Sequence, residues 1–173
     1  MNYSKETIKP NFINGILIDP FQKKVTTVKV DTTNTLKSKY DLIGCSMVET
    51  VNYTHKSVIE DIWCDEEGLM KPRGEQRFFK ISKLPYLHRG VIAGRGLILG
   101  SDNEGDTIST SLTIEEVLPR ISWDFVDENL GIYNSDTGLF TKVIIEDITP
   151  KPNSRQVESD IVDSIRSIHV IGE

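Results

Sequence analysis

The sequence predicts an α+β fold with a mainly antiparallel sheet and two or three short helices. Short β-rich runs separated by turn residues recur along the chain, while helical spacing is confined to brief stretches. The stretch from Gly90 to Thr110 forms the centre of this pattern, with an apolar run from Val91 to Leu99 that closes in a polar turn. Because this run is short and lacks polar alternation, it predicts a strand buried on both faces.

Two hairpins and a helix are predicted before this centre. The runs Gly15 to Asp19 and Val25 to Val30 are joined by a loop that contains Pro20, which is typical of a hairpin. A second hairpin is predicted from Ser46 to Tyr53 and Val58 to Cys64, and the sequence DEEG then predicts a turn from Asp65 to Gly68.

The helix is predicted between these hairpins. Thr33 or Asn34 can cap its first turn, and Gly44 can end it in a left-handed conformation. Three residues at helical spacing predict its buried face: Leu36, Tyr40 and Ile43.

The clearest local signal follows the central stretch. Thr113 and Glu116 have the spacing of a capping box, and Pro119 predicts that the helix ends after about two turns. Later runs predict further strands, the last from Leu139 to Ile148. We therefore expect three regions: an α+β domain over 1–121, a β extension packed on it over 122–149, and a linker with a C-terminal amphipathic helix over 150–173.

Composition places the chain of 173 residues in the ordinary globular class, with 38% hydrophobic and 27% charged residues. No apolar run approaches the roughly 20 residues needed to cross a bilayer, and the first residues contain no apolar segment typical of a signal peptide. We therefore expect a cytosolic protein without membrane contact, in which Cys45 and Cys64 remain separate buried thiols.

Charge is distributed unevenly along the chain. Residues 1–100 sum to +4 and residues 101–173 to −10. The stretch from Lys71 to Arg95 is basic and contains aromatic residues, which predicts either a solvated loop or a site for phosphates or an acidic partner. The candidate anion contacts are Arg73, Arg77, Lys80, Arg89 and Arg95, with Phe79 or Tyr86 as a stacking surface.

Other motifs predict no catalytic residue, no metal site and no cofactor. The glycines of GRGLILG lie inside an apolar run rather than before a helix, which favours close packing over nucleotide binding. Asp102, Glu104 and Asp106 alternate but lack the remaining ligands of an EF-hand, which favours a polar turn. The three histidines and two cysteines lack metal-ligand spacing.

Several of these motifs together resemble a known family. In order along the chain they are ILIDP, VTTVKVD, LIGC, MVETV, CDEEGLMK and GRGLILGSDNEGDTISTSLTIEEV. From about Gly15 to Ile121 the chain resembles domain of unknown function 3846, a family found in phages, plasmids and bacteria. Cys64 stands where the family usually has Asn, and the segment from Lys71 to Arg89 is longer than expected. The resemblance implies a small α+β domain from a mobile element, with no activity attached to it.

This context predicts a non-catalytic accessory binding protein of a phage or mobile element. We expect it to act in the host cytoplasm on a host protein, with counter-defence as one such role, through an acidic surface that contains Glu115, Asp124, Asp127 and Glu128. One alternative is a protein that binds or cleaves a nucleotide or second messenger through residues 71–95. Another is a virion or oligomer component. Nucleic acid is not an expected partner, because −6 is a mild charge for a DNA mimic.

Overall fold

The computed structural model describes residues 11–55, 58–82, 90–127 and 130–142. The chain divides into two compact units, Met1–Trp123 and Asp124–Glu173. Within the described ranges, no helix has both the length and the apolar character needed to cross a membrane. The predicted linker and C-terminal helix lie outside these residues, and the packing of the β extension on the first domain stays a prediction.

The first unit is mostly antiparallel β-structure with short helices, as the α+β prediction requires. Its elements in chain order are β1 (Phe12–Asp19), β2 (Lys24–Asp31), α1 (Thr35–Ile43), β3 (Val48–His55), β4 (Val58–Asp65), 3₁₀-helices over Gly68–Met70 and Arg73–Glu75, β5 (Phe78–Ile81), β6 (Val91–Ala93), β7 (Gly96–Ser101), β8 (Thr107–Ile108), α2 (Ile114–Val117), a 3₁₀-helix over Leu118–Arg120, and β9 (Ile121–Ser122).

The main sheet is built around β7. Its strands follow the order β2-β1-β7-β4-β3, every pair is antiparallel, and β8 pairs with the end of β7. Gly96 to Gly100 are all buried, which confirms the prediction of a central strand buried on both faces. The two predicted hairpins are the β1-β2 and β3-β4 pairs.

The apolar run from Val91 to Leu99 forms two strands in two sheets rather than one. Val91–Ala93 is β6 and pairs with β5 in a small sheet of order β6-β5-β9, whereas β7 begins only at Gly96. Gly94 lies between them with φ of 78°, a conformation that costs glycine little and breaks the strand. The run therefore carries the chain from one sheet to the other.

Helix α1 has the predicted ends but a different buried face. The Asn34 side chain accepts a hydrogen bond from the Lys37 N–H at 3.2 Å, and Gly44 ends the helix in the left-handed conformation. Leu36 is 51% exposed, so its assignment to the buried face is wrong. The buried residues are Lys39 and Ile43, because the helix is rotated so that this pair faces the sheet.

Lys39 is an unusual residue in this position. Its ammonium group lies 3.1 Å from the centre of the Trp63 ring and donates a hydrogen bond to the Thr107 hydroxyl at 3.1 Å. Burial lowers the pKa of Lys39 from 10.5 to about 8, and the nearby Asp61 carboxylate opposes part of that effect. The helix therefore packs on the sheet through a buried amine as well as through apolar side chains.

Helix α2 begins with the predicted capping box. The Thr113 hydroxyl accepts a hydrogen bond from the Glu116 N–H at 3.3 Å, and the Glu116 carboxylate accepts one from the Thr113 N–H at 3.2 Å. The α-helix spans one turn and continues as the 3₁₀-helix that contains Pro119. Pro119 lacks the N–H that would continue the α-helical hydrogen bonds, and the α-helix has one turn rather than the predicted two.

The main sheet has an apolar core on each face. On one face, Ile16, Ile62 and Ile98 pack with residues of the small sheet and with Val117 of α2. On the other face, strand residues such as Leu97 pack with α1. Because successive side chains of a strand point to opposite faces, β7 contributes to both cores.

The second unit contains β10 (Phe125–Asp127), β11 (Gly131–Asn134) and β12 (Leu139–Thr141), which form an antiparallel sheet in that order. Three aromatic rings pack together on it, with centroids 4.9 to 6.0 Å apart: Phe125, Tyr133 and Phe140. The turn between β11 and β12 is organised by the Asn134 side chain, which accepts from the N–H groups of Asp136 and Thr137. Residues 143–148 of the predicted last strand lie outside the described residues.

Candidate functional site

Three charged side chains meet at one end of the main sheet. Asp19 ends β1, Asp65 ends β4, and Arg95 directly precedes β7. Because β7 runs antiparallel to both neighbours, its beginning lies beside their ends. Residues far apart in sequence are therefore brought together by the topology of the sheet.

The Asp19 carboxylate accepts hydrogen bonds both from the turn that follows β1 and from the Arg95 side chain. One carboxylate oxygen accepts a hydrogen bond from the Arg95 Nε–H at 2.8 Å. The other accepts from the backbone N–H groups of Phe21 at 2.8 Å and Gln22 at 3.2 Å. The Arg95 guanidinium carbon lies 5.4 Å from the centre of the Phe21 ring, so Arg95 has a fixed orientation at the sheet end.

Asp65 organises the DEEG turn. Its Oδ1 accepts a hydrogen bond from the Glu67 N–H at 3.0 Å, and its Oδ2 forms an ion pair with Lys71. The Asp65 side chain is 3% exposed, whereas that of Lys71 is 41% exposed. The predicted turn is therefore present, and its first carboxylate is neutralised by a cation within the same segment.

Arg77 differs from the other two cations. Its Nη1 donates to the carbonyl oxygens of Gln76 at 2.7 Å and Gly74 at 3.3 Å. Among the residues described, no carboxylate forms an ion pair with its guanidinium group. Arg77 therefore retains positive charge and further N–H donors for another group.

A cleft of about 220 Å³, which we call the Arg77 cleft, lies at this end of the sheet. Its lining includes Phe21, Gly44, Asp65, Arg77, Gly94 and Arg95. An adjoining cleft of about 580 Å³ shares Gly44, Asp65 and Lys71 with it. The two clefts together have the size of sites for small organic ligands.

Glycine at position 44 keeps the cleft wall compatible with Arg95. A Cβ at this position would lie 3.0 Å from Arg95 Nη1, and the backbone has φ of 80°. A larger residue would therefore strain the helix end and press on the guanidinium group.

The two thiols have different environments. Cys45 is partly exposed and lines the adjoining cleft. Burial raises the pKa of the Cys45 thiol, with a further contribution from Asp65. Cys64 is 3% exposed, and burial raises its pKa to about 12. Both residues are free thiols, as predicted, but only Cys64 is buried as expected.

Several residues that line the Arg77 cleft belong to the motifs singled out in the sequence. A family model for the domain of unknown function DUF3846 matches residues 13–121. The chain belongs to this family. Within the DUF3846 domain, Gly44 comes from LIGC, Asp65 from CDEEGLMK and Arg95 from the GRG sequence, while Asp19 of ILIDP holds Arg95. No curated protein and no solved structure matched the chain.

The predicted anion contacts do not all reach the cleft. Arg77 and Arg95 line it, whereas Arg73 is exposed outside it and Lys80 is half-buried in β5 with an interaction of its own. Arg89 and Tyr86 lie outside the described residues.

The predicted aromatic surface needs a correction. Phe79 is completely buried between the two sheets, so its ring offers no surface for stacking. Phe21, which the sequence reasoning did not select, is the aromatic residue at the cleft.

The predicted acidic surface divides between the two units. Glu115 is exposed on α2. In the second unit, Asp124 accepts hydrogen bonds from the N–H and hydroxyl of Ser135, both at 2.8 Å. Asp127 is 7% exposed and accepts from the Leu130 N–H at 3.0 Å. Two of these carboxylates therefore stabilise turns, and Glu128 lies outside the described residues.

Sequence reasoning missed the role of Asp19. Its only sequence signal was its place before Pro20 at the end of a strand, which is an ordinary turn pattern. The Asp19–Arg95 pair joins positions 76 residues apart, and only the sheet topology brings them together.

Proposed function

We propose that this protein binds a small anionic ligand of nucleotide size in the Arg77 cleft. The observation that carries this proposal is the guanidinium group of Arg77, which lines the cleft without a carboxylate partner among the described residues. A guanidinium group matches the geometry of phosphate and carboxylate groups because it presents its N–H donors in one plane.

The neighbouring groups favour a ligand with a planar part. Phe21 is 50% exposed at the cleft, and Arg95 lies over its ring. Aromatic rings and guanidinium planes both stack with nucleobases. A phosphate at Arg77 and a base beside Phe21 would therefore use both features of the cleft.

The test is a thermal unfolding series with adenosine monophosphate, guanosine monophosphate and pyrophosphate as probes. A bound probe should raise the melting temperature, with a gain of about 2.7 kcal/mol when its concentration is a hundredfold above Kd. Arg77→Gln should abolish the rise. Arg73→Gln is the matched control, because Arg73 is exposed and does not line the cleft.

Alkylation of Cys45 gives an independent measurement. A ligand that extends into the adjoining cleft should slow the reaction of Cys45 with iodoacetamide, while buried Cys64 serves as an internal reference. If none of the three probes changes the melting temperature or the alkylation rate, or if Arg77→Gln binds as wild type does, the proposal is wrong.

A second candidate function is the capture of a host protein by an accessory protein of a mobile element. It is favoured by Leu69 and Met70, which are 72% and 82% exposed in the 3₁₀-helix beside the cleft. Neighbouring apolar side chains with this exposure are typical of interaction sites, and Met adapts readily to a partner surface.

This candidate is tested by quantitative recovery of host proteins on the tagged full chain. A specific partner should be lost from the double variant Leu69→Ser, Met70→Ser and retained by Ile59→Ser, since Ile59 is also 66% exposed but lies on β4. Equal recovery by all three proteins would contradict a role for the Leu69–Met70 surface.

A further inference from the structure

We infer that β3 pairs with β3 of a second copy of this chain, so that two main sheets join into one. β3 lies at the end of the strand order, and within the described residues no strand pairs with its outer edge. The strand has eight residues, longer than the usual five or six, and therefore presents a long row of backbone donors and acceptors.

The two edges of the main sheet differ in how they discourage pairing. β2, at the other edge, carries exposed Lys24 and Lys29. β3 contains no lysine, arginine or proline, and Glu49 is its one acidic residue. Edge lysines and prolines are common devices that prevent strands from pairing with other chains. The two lysines of β2, and the absence of lysine and proline from β3, indicate which edge is open to a partner.

The sequence of β3 is compatible with antiparallel pairing to itself. A twofold axis through Asn52, perpendicular to the sheet, would place Thr50 opposite Thr54 of the second copy and Val51 opposite Tyr53. Pairs of β-branched, hydroxyl and aromatic residues are favourable across strands. The two Glu49 side chains would be six positions apart along the strands, or about 20 Å, which exceeds the screening length of roughly 8 Å at physiological salt.

This arrangement also keeps the two faces of the main sheet equivalent in both copies. A twofold axis perpendicular to the sheet keeps equivalent faces on the same side. Val51 and Tyr53 are 3% and 0% exposed in the core that faces the small sheet. In the pair, these residues of both copies would lie in one continuous core layer, while both α1 helices would cover the opposite face.

The mass of the full chain in solution tests the inference. One chain has a mass of 19.5 kDa, and light scattering after size exclusion should give twice that value at high protein concentration and fall towards one chain on dilution. Asn52→Lys should shift the equilibrium to single chains, because it would place two ammonium groups opposite each other at the axis. If the twofold axis passed through Val51 instead, position 50 of one copy would face position 52 of the other. Adding Thr50→Lys to Asn52→Lys would then place ammonium groups opposite each other in that register as well.

Two further measurements make the result decisive. Thr27→Lys is the matched control on the exposed side of β2, and it should associate as wild type does. Amide hydrogen exchange of the wild type should slow in β3 as concentration rises. A wild type that stays at 19.5 kDa at every concentration overturns the inference, as does association of the Asn52→Lys, Thr50→Lys variant equal to that of the wild type. Protection of β3 only when another protein is added also overturns it.

Discussion

Replacement of Lys39 by Met should remove a pH dependence from the stability of the fold. Burial holds the pKa of Lys39 at about 8, well below the ordinary value of 10.5. Between these two values the unfolded chain binds more protons at this residue than the folded chain does. Stability therefore rises with pH across this window, because the folded state prefers the neutral amine.

The size of the effect follows from the two pKa values. For a folded pKa of about 8 and an unfolded pKa of 10.5, linkage gives a gain of about 1.4 kcal/mol in unfolding free energy between about pH 7 and about pH 9. Lys39→Met should lack this gain. The absolute stability of the variant also changes, because it loses the contact with Trp63 and the hydrogen bond to Thr107.

The assay is urea unfolding of wild type and variant at both pH values. Cys64 has a raised pKa, so its ionisation in the unfolded chain lowers stability above about pH 9, but both proteins share this effect. The difference between their pH responses therefore isolates Lys39. Lys37→Met is the matched control, since Lys37 lies on the same helix with a 66% exposed side chain.

The result that would refute this reasoning is an equal pH response in wild type and Lys39→Met. A response lost in Lys37→Met instead would refute it equally, because the exposed Lys37 pairs with Asp41 on the helix surface. Titration of the Lys39 ammonium by NMR provides a direct check, with an expected midpoint near pH 8.

Three further predictions follow from local contacts. Gly96→Ala should lower the unfolding free energy by about 1 to 3 kcal/mol in denaturant titration, because the new Cβ would lie 2.7 Å from the Phe79 ring; unchanged stability would contradict this close packing. Thr113→Ala should cost about 1 kcal/mol in the same assay through loss of the α2 cap, and Thr113→Ser should restore most of it. In the native protein Cys45 should react with iodoacetamide faster than Cys64, as peptide mass spectrometry would show, and equal rates would contradict the burial difference.

Features set by neighbouring residues were predictable from the sequence. Asn34 caps the start of α1 and Gly44 ends it, as expected, because capping depends on residues within one turn of each helix end. The capping box of Thr113 and Glu116 is present for the same reason. The hairpins were also predictable, since turn residues between two β-rich runs bring adjacent strands together.

Features that depend on distant packing were not predictable in the same way. Gly94 and Gly96 interrupt the apolar run that ends at Leu99, but the sequence does not show that the chain passes to another sheet at Gly94, because both parts of the run are apolar. Because Leu36 is apolar and Lys39 is charged, the sequence favours Leu36 for the buried face of α1. The contacts of Lys39 with Trp63 and Thr107 nonetheless place the lysine against the sheet.

The candidate site was predictable only in part. Arg77 and Arg95 were selected by their charge within a basic stretch, and both line the cleft. Charge alone could not exclude Arg73 or reveal that Phe79 is buried, because exposure depends on how residues 71–82 pack. Phe21 carried no signal, since a single aromatic residue in a loop is unremarkable in sequence.

The position of β7 has a consequence for synthesis of the chain on the ribosome. Ile98 pairs with Ile16 of β1 on one side and with Ile62 of β4 on the other. The edges of β1 and β4 that pair with β7 therefore stay unpaired until β7 has been synthesised. Contacts this distant in sequence slow folding, and unpaired edges favour aggregation in the meantime. A nascent chain that stalls before Gly96 therefore contains two hairpins without the strand that joins them, and early termination should yield aggregates rather than a smaller folded domain.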